Sequence, residues 1–467
     1  MSALAFCKRL FGRNTGNVDM RSGSIPRAIV RYSLPILMGT LLQYLYSTMD
    51  AWVLGRSGQT EAYAAVGSLS PVTQTLVALF WGFAQGAGIV ISRAYGAQDR
   101  ARLSRGAHTA AVVTVLIGAF LTVVGMLASP LLLRIVLGAD GDPEIYRHAR
   151  TYLLIFFGGI IPMLVYNIGA EIMRAVGNSH YPFVFLFVGS ILNIALDLLF
   201  VFVFDYGIAG VAWATVVAQA IAAVLVVAVL FSKRSPLRLY PRLLRIDRGI
   251  TGAVVRLGIP VAIQNSVASI SALFVQSYIA GVSGDQAAVL GGYTTFSRLV
   301  AMLCQPVAVL TGTVAVFVAQ NLGARDVRRA RQGVRWGQAI AMCASVPLFV
   351  SATLFADQLP LIFTDDPTVV KHAAELFRYL SLFYLIEPIA YIMAGALRGL
   401  GKTAALMIVN IATVIVAKQI YLFVVANYVS NSYLAIVFSM PFGIILQSLV
   451  TIALYLWVVR RGELTVK

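Results

Sequence analysis

The chain reads as an all-α membrane protein, with twelve transmembrane helices in two six-helix lobes related by a parallel pseudo-two-fold repeat. Three observations predict this. First, its 467 residues are 59% hydrophobic and only 12% charged, with a mean hydropathy of +0.83. A soluble chain is about a quarter charged, so this composition would leave apolar surface in water. It excludes an ordinary soluble enzyme, a disordered chain and a small disulfide scaffold. Second, the apolar residues gather in runs of the ~20 residues or more that cross a bilayer. Third, three segments of the first half recur in order in the second.

The runs, punctuated by charges, Pro and Gly, lie near 26–54, 62–92, 105–134, 144–174, 181–204 and 207–232. They resume near 252–282, 286–320, 334–356, 371–397, 403–427 and 433–459. Several exceed the minimum span, so tilt or bending is expected. The domains that follow are a tail over 1–24, a first lobe over 25–232, a basic linker over 233–250, a second lobe over 251–460 and a short tail over 461–467.

Charge orients these spans. There are 36 Lys+Arg against 19 Asp+Glu, a net +17. Alternate gaps hold the basic clusters: Lys8, Arg9, Arg13, Arg21 and Arg27, then Arg93–Arg105, Lys233–Arg248, Arg325–Arg335, and Arg460, Arg461 and Lys467. The opposite gaps hold most of the acids: Asp140, Asp142, Glu144, Asp205, Asp285, Asp357, Asp365 and Asp366. Under the positive-inside rule both termini are cytoplasmic, which requires an even number of spans in the cell (inner) membrane. The same arrangement argues against nucleic acid as a partner. The start, MSALAFCKRLFGRN, lacks a long apolar core and a small-residue cleavage site, so the first span is expected to direct insertion. Cys7, Cys304 and Cys343 have no metal-ligand spacing and imply no disulfide framework.

The repeat is in register. AIVRYSLPI (28–36) matches AVVRLGIPV (253–261), YGAQDRARLSRG (95–106) matches LGARDVRRARQG (322–333), and MRAVGN (173–178) matches LRGLGK (397–402), at offsets of 225, 227 and 224. Six spans per half is an even number, so both halves enter from one side and the repeat is parallel. Such a pair of lobes leaves a cleft that rocking would open to each side in turn. Pro35 and Pro260 sit at equivalent positions in the first span of each half. Each removes a helix hydrogen bond and is a candidate hinge.

A charge at the bilayer centre costs roughly 2.5–3.5 kcal/mol on insertion scales. The embedded ones are few: Asp50, Glu171, Asp197, Arg298, Glu387 and Lys418. Gln43, Tyr46 and Asp50 share a helix face, as do Asn193 and Asp197. Thr215, Tyr152 and Asn167 could supply hydrogen bonds. Two carboxylates with hydroxyl and amide neighbours suit a proton, or a sodium ion at Asp50, Asn193, Asp197 and Thr215. The repeat counterparts of Asp50 and Glu387 are Val275 and Met163, so each lobe carries an acid the other lacks. Glu387 reads as a second ion site, a contact for a substrate cation, or the partner of Arg298 or Lys418. Glu171, three residues from Arg174, reads as a local ion pair. Four histidines, all near loops or span ends, do not make a catalytic constellation, so no enzyme and no cofactor are expected.

From about residue 25 to 460 the chain resembles the multidrug and toxic compound extrusion (MATE) family. The resemblance rests on MDAWVLGRSGQTEAYAAVG, RAYGAQDRARLSRG, MRAVGNSHYP, ILNIALDLLF with GIAGVAWATVVAQ, AQNLGARDVRRARQG and GALRGLGKT. It implies cation-coupled antiport, with drugs and toxic compounds exported by alternating access; the expected substrates are small organic cations or amphipaths, and the expected working unit is a monomer in membrane lipid. Asp50, with Pro35 before it and Gln43 and Tyr46 on its face, matches the first-helix acid of the DinF-like branch. Tyr152, Asn167, Asn193, Asp197 and Thr215 match that branch's amino-lobe network. Glu387 resembles the tenth-helix acid of the NorM-like branch, and lines the cleft with Gln43 and Tyr46. The seventh-helix Glu of that branch has no counterpart, because 260–284 holds no acid. The wider superfamily also contains lipid-linked saccharide flippases, which are the alternative reading.

Overall fold

The computed structural model describes residues 17–56, 60–138, 142–232, 237–281, 286–429 and 432–462. Cys7, Lys8, Arg9, Arg13, Asp140, Lys233, Asp285 and Lys467 lie outside the described residues. The rest is helical, as the runs of apolar residues require once backbone polar groups must be satisfied away from water.

In order, the helices are α1 (Ile25–Arg56), α2 (Thr60–Gly96), α3 (Arg100–Leu137), α4 (Pro143–Gly158), α5 (Ile160–Ala175), α6 (His180–Leu198, continued by a π-helical turn Leu199–Val203) and α7 (Gly207–Phe231). Then come α8 (Arg248–Ala280), α9 (Gln286–Leu303), α10 (Gln305–Gly323), α11 (Val327–Leu354), α12 (Pro367–Leu380) and α13 (Glu387–Gly399). The last are α14 (Thr403–Asn410), α15 (Lys418–Val424), α16 (Tyr433–Val437) and α17 (Ser439–Arg460), with π-helical stretches on both sides of α15. By length and composition ten described helices can cross a membrane, or up to twelve if each of two bent pairs counts as one span.

Those bends have a local cause. α4 and α5 meet at 46°, and Pro367–Leu385 meets α13 at 44°. Pro162 and Pro388 have no N–H to give the carbonyls of Gly158 and Tyr384, and the breaks at Gly159 and Ile386 fall two or three residues before each proline. The run expected to be continuous over 286–320 is likewise interrupted at Cys304, just before Pro306.

The first repeated pair lies within α1 and α8, and the other two prove to carry turns. After α5, Asn178 N–H donates to Met173 O (2.9 Å) and Gly177 N–H to Arg174 O (2.9 Å). After α13, Lys402 N–H donates to Leu397 O and Gly401 N–H to Arg398 O, both at 2.8 Å. This paired closure needs a left-handed residue, and Gly177 (φ +90°) and Gly401 (φ +79°) supply it. In YGAQD and LGARD the left-handed residues are Gln98 and Arg325, followed by Asp99 and Asp326, whose carboxylates cap the next helix through Arg102 N–H (2.9 Å) and Arg329 N–H (2.8 Å).

The chain forms two compact units. Among the described residues, one is 17–19 with 31–255; the other is 20–30 with 256–462. In the first, Leu69, Leu153, Phe157 and Leu164 head the core. In the second, Phe296 packs edge-on against Phe377 (centroids 4.8 Å apart) and Phe349 stacks on Tyr384 (5.5 Å). The outer surface of α3 is apolar: Phe120, Leu127, Leu131 and Ile135 are 62–78% exposed. Such a face is stable in lipid and unfavourable in water.

Candidate functional site

The first unit brings together most of the polar residues singled out from the sequence. α1 presents Gln43, Tyr46 and Asp50, α6 presents Asn193 and Asp197, and α7 presents Thr215. Asp197 is fully buried and Asn193 is 2% exposed, while Asp50 is partly buried. The Asp50 carboxyl lies against Asp197 and the Asn193 amide. Asn193 Nδ2 donates to Thr215 Oγ1 at 3.3 Å, which turns its carbonyl oxygen away from Thr215. Gln43 Nε2 donates to Tyr46 Oη at 3.4 Å.

The acceptors of this cluster lack donors. Asp50 Oδ1, Asn193 Oδ1 and both carboxylate oxygens of Asp197 are buried with no hydrogen-bond partner. A buried charge is tolerated only when paired or hydrogen-bonded, and the polar side chains nearest these oxygens are one another, with no cationic partner among them. The oxygens therefore fit a small cation. A proton would bridge two of them, and a hard metal cation would take several at once. No group of three or more His, Cys, Asp or Glu suited to a metal ion occurs among the described residues, so the oxygen donors here are two acids completed by amide and hydroxyl.

Two residues stand at the margin. Tyr152 of α4 acts electrostatically on Asp50 and Tyr46 and stacks on Phe156. Asn167 makes no hydrogen bond to either acid; its Nδ2 donates to Met163 O (2.8 Å), one turn back in its own helix. One residue was missed. Gln219, four residues beyond Thr215 on α7, reaches Tyr46, and its Oε1 is also buried without a partner. The i,i+4 spacing from Thr215 was the signal that could have found it.

Glu171 forms the local pair with Arg174 (3.6 Å), its carboxyl packed on Gly88 of α2. In the second unit Glu387 opens α13 and accepts from Cys304 Sγ at 3.3 Å, with Tyr391 also beside it. It is not the ion-pair partner of Arg298, which is exposed, or of Lys418, which is buried. The thiol takes that place because the break at Cys304 sets it against the start of α13. Pro35 and Pro260 stand inside α1 and α8.

Comparison with known proteins identifies the family. The MatE family profile matches residues 35–199 and again 260–424, opening each time on one of the two paired prolines. A probable multidrug resistance protein of Bacillus subtilis, YoeA, is 27% identical over 451 residues, covering 95% of this chain and 96% of that protein. The probable multidrug resistance protein NorM of Thermotoga maritima is 24% identical, with 92% of each chain covered. A MATE-family transporter solved in an outward-facing conformation superposes with a TM-score of 0.89 at 23% identity, covering 97% of this chain and 100% of that one. The fold is thus shared along nearly the whole length, and the chain belongs to the MATE family of multidrug-efflux membrane transporters.

Proposed function

We propose that the protein is a cation-coupled antiporter that exports organic cations and amphipathic drugs by alternating access, with Asp50 and Asp197 as the coupling site. The observation that carries this reading is the set of four buried, donorless oxygens on Asp50, Asn193 and Asp197. Loading a proton or a sodium ion there neutralises charge that the protein leaves uncompensated. Unloading restores it. Helices α1, α6 and α7 meet at this point, so their packing responds to occupancy, and Pro35 and Pro260 are the positions where the first span of each lobe can bend. One charge moving down 100 mV supplies about 2.3 kcal/mol, a bias of about fiftyfold.

Asp50 and Asp197 in one unit, with no acid over 260–284, favour the DinF-like branch over the NorM-like one. The multidrug names of the Bacillus and Thermotoga relatives support drug export. We take the lobes as 25–232 and 251–460, both termini as cytoplasmic and the monomer as the working unit. Gln43, Tyr46 and Glu387 are the proposed substrate contacts. A lipid-linked saccharide flippase would need clustered Arg and Lys to hold pyrophosphate; of the two basic residues expected within the spans, Arg298 is exposed and Lys418 buried, which speaks against such a cluster.

The test is efflux of a fluorescent organic cation from proteoliposomes under separate proton and sodium gradients. One gradient should drive uphill export, and that gradient names the ion. Equal flux with no gradient would replace the antiporter with a channel.

A further inference from the structure

The segment joining α7 to α8 is fastened along α3. Leu239 N–H donates to Leu230 O (2.8 Å), and Tyr240 N–H donates to Nε2 of the buried His108 (2.9 Å). The other ring nitrogen of His108 lies 2.7 Å from Ser104 O, so Nδ1 carries the proton and Nε2 accepts. Further along, Thr109 Oγ1 donates to Arg245 O and accepts from Asp247 N–H, each at 3.2 Å, and Arg105 stands 3.3 Å from the Asp247 carboxylate.

These anchors set the depth of the segment. α3 begins with Arg100, Arg102 and Arg105, and from 106 to 133 it has no Asp, Glu, Lys or Arg. His108 and Thr109 mark the change from basic to apolar, where a membrane helix crosses from headgroups to hydrocarbon. The segment is pinned at that level. It turns outward Tyr240 (45% exposed), Leu243 (39%), Leu244 (39%) and Ile246 (47%). Arg242, Arg245 and Arg248, all exposed, are interleaved with them. The one acid of the stretch, Asp247, is taken by Arg105 and by the N–H of Ile250. None of the three arginines forms an ion pair among the described residues.

We propose that Tyr240–Arg248 is a docking surface for anionic phospholipid headgroups, with its aliphatic side chains entering the acyl boundary and its arginines holding the phosphates. Exposed apolar side chains alternating with uncompensated arginines at headgroup depth is the chemistry of an interfacial anchor. Basic residues that only orient a chain in the membrane need no aliphatic partners and no fixed depth. A soluble acidic partner would meet the arginines but leave the aliphatics unexplained.

The experiment uses the full chain with Cys7, Cys304 and Cys343 replaced by Ser, Leu244→Cys labelled with bimane, and reconstitution into bilayers with equal fractions of brominated phosphatidylglycerol or brominated phosphatidylcholine. Each arginine near an anionic surface is worth about fivefold in local lipid enrichment. Quenching should therefore be stronger with the brominated anionic lipid, by about fivefold or more. The preference should disappear in Arg242→Gln/Arg245→Gln/Arg248→Gln and persist in the matching triple lysine variant. Equal quenching by both lipids, no quenching by either, or a preference that survives the glutamine variant would each overturn the proposal. Transport activity plays no part in this readout, so the antiporter reading and the lipid site stand or fall separately.

Discussion

Asp197 buries both carboxylate oxygens without a hydrogen-bond partner, and under the proposed coupling role the side chains around it set how tightly a cation is held. Gln219 is the informative one. Its Oε1 is unpartnered, and it touches Tyr46 on the Asp50 face. We predict that Gln219→Leu raises the ion concentration for half-maximal coupled efflux by about tenfold, the worth of one hydrogen bond, while surface expression stays unchanged; concentration-dependent proteoliposome flux measures it. At this scale the sequence was largely legible, because helix-face spacing groups Gln43, Tyr46 and Asp50, and Asn193 with Asp197. It could not give rotamers. Asn167 lies on a plausible helix, yet its amide is committed to Met163 O, and spacing alone carries no record of that choice.

Helix ends and crossings carry the next layer. Gly395 and Gly399 of α13 bring it against the α10 backbone; a Cβ at Gly395 would sit 2.4 Å from Thr311 O, and one at Gly399 2.6 Å from Ala315 O. Gly395→Val should therefore force the helices apart, costing about 1–3 kcal/mol as overpacking does, and lower the melting temperature in detergent. The linker offers a test by pH. The N–H of Ile250, with Arg105 beside it, holds the Asp247 carboxyl below the usual carboxylate range. Its contribution is present above the ordinary Asp value of about 3.9 and is lost as pH falls through the lower folded value. Hydrogen-exchange protection of the Ile250 amide, which donates to the Asp247 carboxylate, should hold down to about pH 4 and drop only below it. The repeats at 95–106 and 173–178 announced that two halves share local structure. Their physical content, a left-handed closure at Gly177 and one at Gln98 followed by the Asp99 cap, needed backbone geometry to be seen. The bends in the fourth and tenth spans were foreshadowed only by span length and by Pro162 and Pro388.

At the scale of the whole molecule, apolar run length and the alternation of Arg-rich with acid-rich gaps foretold a multi-spanning helical chain, and the family match covers both halves. The proposed ion cluster draws on the first unit, since Val275 stands at the repeat counterpart of Asp50. Coupling should then be lost through that unit alone. The most direct measurement is gradient-driven efflux from proteoliposomes holding Asp50→Asn or Asp197→Asn, with insertion and monodispersity checked in parallel. Either amide supplies N–H donors to the orphan oxygens, so both variants should fold and insert as the parent does, yet neither should export substrate uphill against either ion gradient. Parental efflux by both variants would contradict the account.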